Sequence, residues 1–213
     1  MTVVDAHHHL WDLNVRDQDW ITGEALAPLR RNFSITDFHP IAQAAEVTAS
    51  ILVQTITVPE ETPEMLALAA ENPLIAGVVG WTDLTAPDIT DTLARLRELP
   101  GGSHLVSIRH QVQSEPDPHW LVRPDVLRGL TAIANAGLAY DLVILPHQLP
   151  AATAAVRGGV AALEPWRIDA LALTFIDAPG ADRAAAFGSA WARLRQLKLA
   201  YDPANLFAAA RPV

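Results

Sequence analysis

Five short apolar runs, at residues 2–6, 50–55, 74–79, 105–108 and 140–145, alternate with stretches that carry helical spacing. No other feature restricts the fold as strongly. Runs of this length, rich in Val, Ile and Leu, are expected of strands buried on both faces. Strands separated by helices pair in parallel, because each helix carries the chain back to the edge from which the previous strand started. The helical stretches are 34–47, 63–71, 87–99, 124–136 and 149–156. In the first, Thr36 is a candidate N-cap, with Ile41, Ala44, Ala45 and Val47 as apolar positions. Pro63 opens the second at its first helical position, Pro100-Gly101-Gly102 stops the third, and Gly137 closes the fourth. The expected class is α/β, with about five βα units of a (β/α)-barrel type.

Polar residues gather just beyond the strand ends: His7 and His9, Gln54, Trp81, Arg109 and His110, and then His147. In a (β/α) barrel the site is built at the C-terminal ends of the strands, so this placement points to one site. The first group is the densest, within Val3-Val4-Asp5-Ala6-His7-His8-His9-Leu10-Trp11. Side chains alternate along a strand, so His7 and His9 share a face while His8 takes the other. Two imidazoles side by side suit a divalent metal or a polar substrate. Arg109 offers a fixed positive fork and His110 a proton shuttle near neutral pH. Gln54 is placed to satisfy buried backbone or to touch substrate, and Trp11, Trp20 and Trp81 to wall a pocket. Asp141 is a candidate for orienting a histidine. His147, between Pro146 and Gln148, is expected to be exposed.

Composition excludes several classes. The 213 residues carry 15 Lys+Arg against 24 Asp+Glu, a net charge of −9, which argues against nucleic acid or an anionic membrane as partner. With no cysteine, thiolate zinc sites, disulfides and cysteine nucleophiles are ruled out. Neither a secretory leader nor an apolar run of about 18 residues is visible, so a soluble cytoplasmic protein is expected. The charge is uneven. Residues 1–150 hold 8 Lys+Arg against 19 Asp+Glu, and residues 151–213 hold 7 against 5.

D-A-H-H-H-L-W at the first strand, V-Q-T at the second, G-V-V-G-W-T-D at the third, and R-H-Q-V-Q-S-E-P-D-P-H-W-L followed by A-G-L-A-Y-D-L resemble the amidohydrolase-related lactonases. That group includes L-fuconolactone and L-rhamnonolactone hydrolases, and the likeness covers roughly residues 2–155. It implies an incomplete TIM-like barrel acting on a sugar-acid or similar lactone, a small-molecule substrate. It also implies catalytic roles for His7, His9, Arg109 and His110, with Trp11, Gln54, Trp81 and Asp141 facing substrate. Metal use varies in the group. Where a divalent ion such as zinc is used, His7 and His9 match the ligating His-x-His.

The pattern breaks after the fifth unit. The family's D-H-x-A-K-P and G-S-D-W-P segments, the latter bearing the aspartate that completes the site, do not occur in this chain. Residues 169–176 read as one more strand and 181–200 as an amphipathic helix. From Ala186 the sequence A-F-G-S-A-W, then R-L-R-Q-L-K-L-A-Y-D-P-A-N-L-F, resembles the C-terminal end of berberine-bridge-type FAD-linked oxidases. The flavin-holding segments of that family lie upstream and are missing, so FAD is not expected. Two joined segments, 1–157 and 158–213 with a seam at Gly158-Gly159, account for the charge change and the lost rhythm. Besides a lactone hydrolase, the sequence leaves open a non-catalytic fusion that binds ligand or partner, and a fragment of a flavin oxidoreductase. It also leaves a homo-oligomer open.

Overall fold

The computed structural model describes residues 3–163, with side chains through Val156, and the helical positions Ala192 and Gln196. The chain divides into two units, Met1–Gly159 and Val160–Val213. The strand expected at 169–176 lies outside the described residues, as does the helix at 181–200 apart from those two positions.

In the first unit β1 (Val4–His8), β2 (Ala49–Val53), β3 (Ile75–Gly80), β4 (Leu105–His110) and β5 (Ala139–Leu142) form one sheet in the order β1-β2-β3-β4-β5. Every pairing is parallel. The sheet curls into a half-barrel, and helices α1 (Ile35–Ala44), α2 (Glu61–Glu71), α3 (Ile89–Glu98), α4 (Pro124–Asn135) and α5 (Leu149–Leu163) alternate with its strands. Register shifts interrupt the first three pairings. Each such bulge bends a strand, which helps the sheet to curl. Among the described residues no helix is long and apolar enough to cross a membrane.

The core lies between sheet and helices. Leu52, Ile75, Val78, Leu105 and Ile108 meet Met65, Leu66 and Ala69 of α2, Ile89, Leu93 and Leu96 of α3, and Val126, Ala132 and Ile133 of α4. The helical residues recur at three- and four-residue steps, the spacing that puts them on one helix face. Two glycines set the close approaches. A methyl group on Gly129 would overlap the Leu84 backbone, so its absence lets α4 lie against that loop. Gly101, after α3, has φ +76° and lies against the Leu66 carbonyl, where a side chain would meet backbone.

Several element bounds differ from those expected. β1 starts two residues later, so it carries His7 and His8 itself. The cap of α1 is Ser34: its N–H donates to the Asp37 carboxylate at 2.8 Å, and Thr36 falls inside the first turn. Ile41 is 66 % exposed and Ala42 takes the buried place on that helix. α2 begins at Glu61, before Pro63, because the Glu61 carboxylate accepts the backbone N–H groups of Thr55 (2.9 Å) and Ile56 (3.2 Å). Arg109 and His110 sit on β4, not past it, β5 ends at Leu142, and α5 runs through Gly158 and Gly159.

Candidate active site

The two histidines of His-x-His do share a face. Their rings meet edge to face with centroids 4.8 Å apart, and the Nε2 atoms are 3.0 Å apart. His8 takes the opposite face, buried and stacked on Phe38 of α1 at 4.1 Å. His9 Nδ1 lies 2.8 Å from the Val53 carbonyl. A carbonyl only accepts, so Nδ1 carries the hydrogen and His9 Nε2 keeps its lone pair. Burial, with Arg109 and the neighbouring imidazoles adding to it, pushes His9 down to about 4 despite the opposing Val53 bond. Desolvation and the Arg109 charge lower His7 in the same direction.

Arg109 reaches this pair from β4. Its Nη1 donates to His7 Nε2 at 3.3 Å, while Nη2 donates to the Gln54 carbonyl and, at 2.9 Å, to Gln54 Oε1. Arg109 is only 6 % exposed. Asp141 lies beside it in register on β5 but accepts instead from Ser107 Oγ at 2.6 Å, and it makes no bond to a histidine. A cavity of about 800 Å³ opens above these strand ends, lined by His9, Arg109, Thr55, Gln111, Gln113 and Trp20 among others. That volume suits a small-molecule ligand.

The other expected site residues are placed elsewhere. His110 faces away from the cavity, stacked on Trp120 at 4.2 Å. Its Nδ1 accepts the Trp81 Nε1–H at 3.0 Å and its Nε2–H donates to Glu115 at 2.7 Å, so both ring nitrogens are engaged. Alternation along β4 explains this: once Arg109 points inward, His110 must point outward. Trp81 follows it outward. Trp11 donates to the Arg31 carbonyl and lines a separate cavity of about 340 Å³, touching Trp20 edge-on at 5.7 Å. Gln54 is fully buried behind Arg109, and His147 is exposed. Gln111 and Gln113 were not singled out by sequence. Their alternation with Arg109 through R-H-Q-V-Q was the available signal.

In donor type and tautomer the His7–His9 pair fits two ligands of a divalent ion. The described residues hold no group of three or more His, Cys, Asp or Glu placed to share one. The histidines also set a pH response. Burial lowers His8 as well as His7 and His9 below their ordinary 6.5. Between 6.5 and the folded-state values, down to about 4 for His9, the unfolded chain binds more protons than the folded one, so stability rises with pH across that window. The melting temperature is expected to fall from pH 7 to pH 4.5 and to be restored in part by His8→Phe. An unchanged slope in that variant would show that His8 takes no part.

Comparison with known proteins agrees with this geometry. Residues 4–158 match the family described as amidohydrolase, and residues 176–213 match berberine and berberine-like proteins. The L-fucono-1,5-lactonase of Burkholderia multivorans is 35 % identical over 148 residues, 69 % of this chain and 48 % of that protein. The L-fucono-1,5-lactonase of Burkholderia ambifaria is 30 % identical over 154 residues, 72 % of this chain and 52 % of its own length. The chain thus spans about half the length of the curated relatives it matches. An amidohydrolase from Burkholderia multivorans, solved with bound zinc, superposes with a TM-score of 0.66 at 32 % identity, covering 76 % of this chain and 54 % of that one. Its form with bound Hepes gives 0.69 over 76 % and 55 %. Sequence and half-barrel topology agree, and the chain belongs to the amidohydrolase family.

Proposed function

We propose that the chain is a lactone hydrolase acting on a sugar-acid or similar lactone, with Arg109, His7 and His9 as the reacting centre. The observation that carries this is the convergence of Arg109 and the two imidazoles, from β4 and β1, at the end of the sheet where the cavity opens. Hydrolysis adds water across the ring ester: a C–O bond forms to the carbonyl carbon, the ring C–O bond breaks, and a hydroxy acid results. The developing oxyanion needs a fixed donor, and Arg109 supplies its remaining Nη1–H from a buried, tethered guanidinium. His9 Nε2, neutral at pH 7 and bearing a lone pair, accepts a hydrogen of the incoming water and orients it. Alternatively, a divalent ion held by His7 and His9 would occupy these lone pairs and supply Lewis-acid polarisation in place of the imidazole–water contact. His110, with both nitrogens occupied, serves as packing for Trp81 and Trp120 in this scheme.

The two family matches, at 4–158 and 176–213, support a reading of the chain as two joined segments, 1–157 and 158–213. A second function is ligand binding without turnover, favoured by the lack of a third metal-ligating side chain among the described residues. Turnover of a panel of five- and six-membered aldonolactones, followed by acid release with added zinc and with a chelator, decides between them. Hydrolysis above the buffer rate, lost in His9→Ala, is the expected result. No hydrolysis in either condition, with retained binding of the hydroxy acid, would leave the binding function.

A further inference from the structure

We infer that Gln54 is the positioning residue for Arg109, holding the guanidinium so that Nη1 faces the histidine pair. Its kinetic consequence rests on the lactonase reading, whereas the geometry does not. Gln54 follows β2 and Arg109 belongs to β4, so the contact crosses the end of β3. Gln54 is 0 % exposed, which removes it from direct contact with substrate. Arg109 has only donors, so the amide must present Oε1 to it, and the opposite end of the amide then donates from Nε2 to the Arg109 carbonyl at 3.3 Å. The two residues therefore grip each other at both side chain and backbone. A parallel tie from Gln111 Nε2 to the Thr55 carbonyl, 2.8 Å, joins the same two strand ends.

The clamp divides the work of the guanidinium. Both Nη2 hydrogens are taken by Gln54, through its carbonyl and its Oε1. Nη1 is left for His7, and Nε has no partner among the described residues. A competitor stands close by: Asp141, level with Arg109 on β5, attracts the guanidinium yet makes no hydrogen bond with it. A long, four-torsion side chain beside a carboxylate would turn toward it if nothing else held the fork. Gln54 supplies that hold, and Ser107 Oγ donates to the Asp141 carboxylate at 2.6 Å.

Gln54→Met keeps length and volume but removes both amide functions, and Gln54→Glu keeps an acceptor for Nη2. The direct readout is labelling of Arg109 by phenylglyoxal, measured by peptide mass on folded protein. Slow labelling is expected in the unaltered chain and in Gln54→Glu, and severalfold faster labelling in Gln54→Met. In turnover, kcat is expected to fall about 10- to 100-fold in Gln54→Met, as for a misplaced catalytic group. KM should change less, and Gln54→Glu should recover most of kcat. A purely structural role would lower the folded fraction and leave labelling of the folded protein unchanged, and that result overturns the inference. Should Gln54→Met not fold, fast labelling of Arg109 in Gln54→Glu would overturn it equally. Absence of lactone turnover in the unaltered chain would remove the proposed function, and the labelling alone would then decide the role of Gln54.

Discussion

Replacing Arg109 by Met is expected to lower kcat/KM for lactone hydrolysis by about 10²- to 10³-fold, the range found when one preorganised oxyanion donor is removed. The size of the effect follows from where the guanidinium sits. It is 6 % exposed, so its charge acts with little screening by water. It is tied on one side, so it does not have to be organised when the reaction occurs. Arg109→Met also strands the buried Gln54 amide, which adds a stability cost of about 1–3 kcal/mol. The folded fraction must therefore be measured by circular dichroism beside the kinetics. Arg109→Lys separates charge from geometry. Lysine is shorter and gathers its three donors on one compact centre in place of a planar fork, so it is expected to recover only a minor part of the loss. Full activity in Arg109→Lys would mean that a positive charge alone suffices, and full activity in Arg109→Met would remove Arg109 from the reaction.

Gly101→Ala is expected to be the most destabilising small substitution in the half-barrel, at about 3 kcal/mol or more, which combines a left-handed backbone penalty with an overpacked contact. Gly101 has φ +76°, and a Cβ there would overlap the Leu66 carbonyl oxygen in α2, a backbone atom that cannot turn aside. Gly137 separates the two causes. It also has a positive φ, +67°, but a Cβ there meets nothing within 4 Å. Gly137→Ala should therefore cost about 1–2 kcal/mol, the left-handed penalty alone. Urea unfolding of both variants checks this. Equal losses would show that close packing of the α3–β4 turn on α2 does not limit the fold.

Much of the half-barrel was legible in the residues because its strands and helices are set by short-range patterns. Apolar runs at 50–55 and 74–79 became β2 and β3 within a residue or two. Two of the bounds that moved did so where a nearby side chain bonded the backbone: Glu61, at the start of α2, accepted the Thr55 and Ile56 amides, and Asp37 capped the N–H of Ser34. Within the site, alternation correctly paired His7 with His9. The same rule, applied to neighbours on β4, separates Arg109 from His110, although the two stand side by side in R-H-Q-V-Q. That separation needed the strand to extend through both residues, which an apolar run ending at Ile108 does not reveal.

The residues by themselves determined the alternation of parallel strands with helices and the shared face of His7 and His9, since each depends on spacing along one segment, and their motifs carried the resemblance to the family. Only the tertiary structure decided which polar groups meet. Gln54 and Arg109 are 55 positions apart, His9 and Val53 are 44 apart, and His7 and Arg109 are 102 apart. No local periodicity encodes such pairings, because they arise from how three strands curl and which side each strand end presents. The curl carries Arg109 inward to the histidines, locks it on Gln54, and turns His110 outward to Trp81, Trp120 and Glu115.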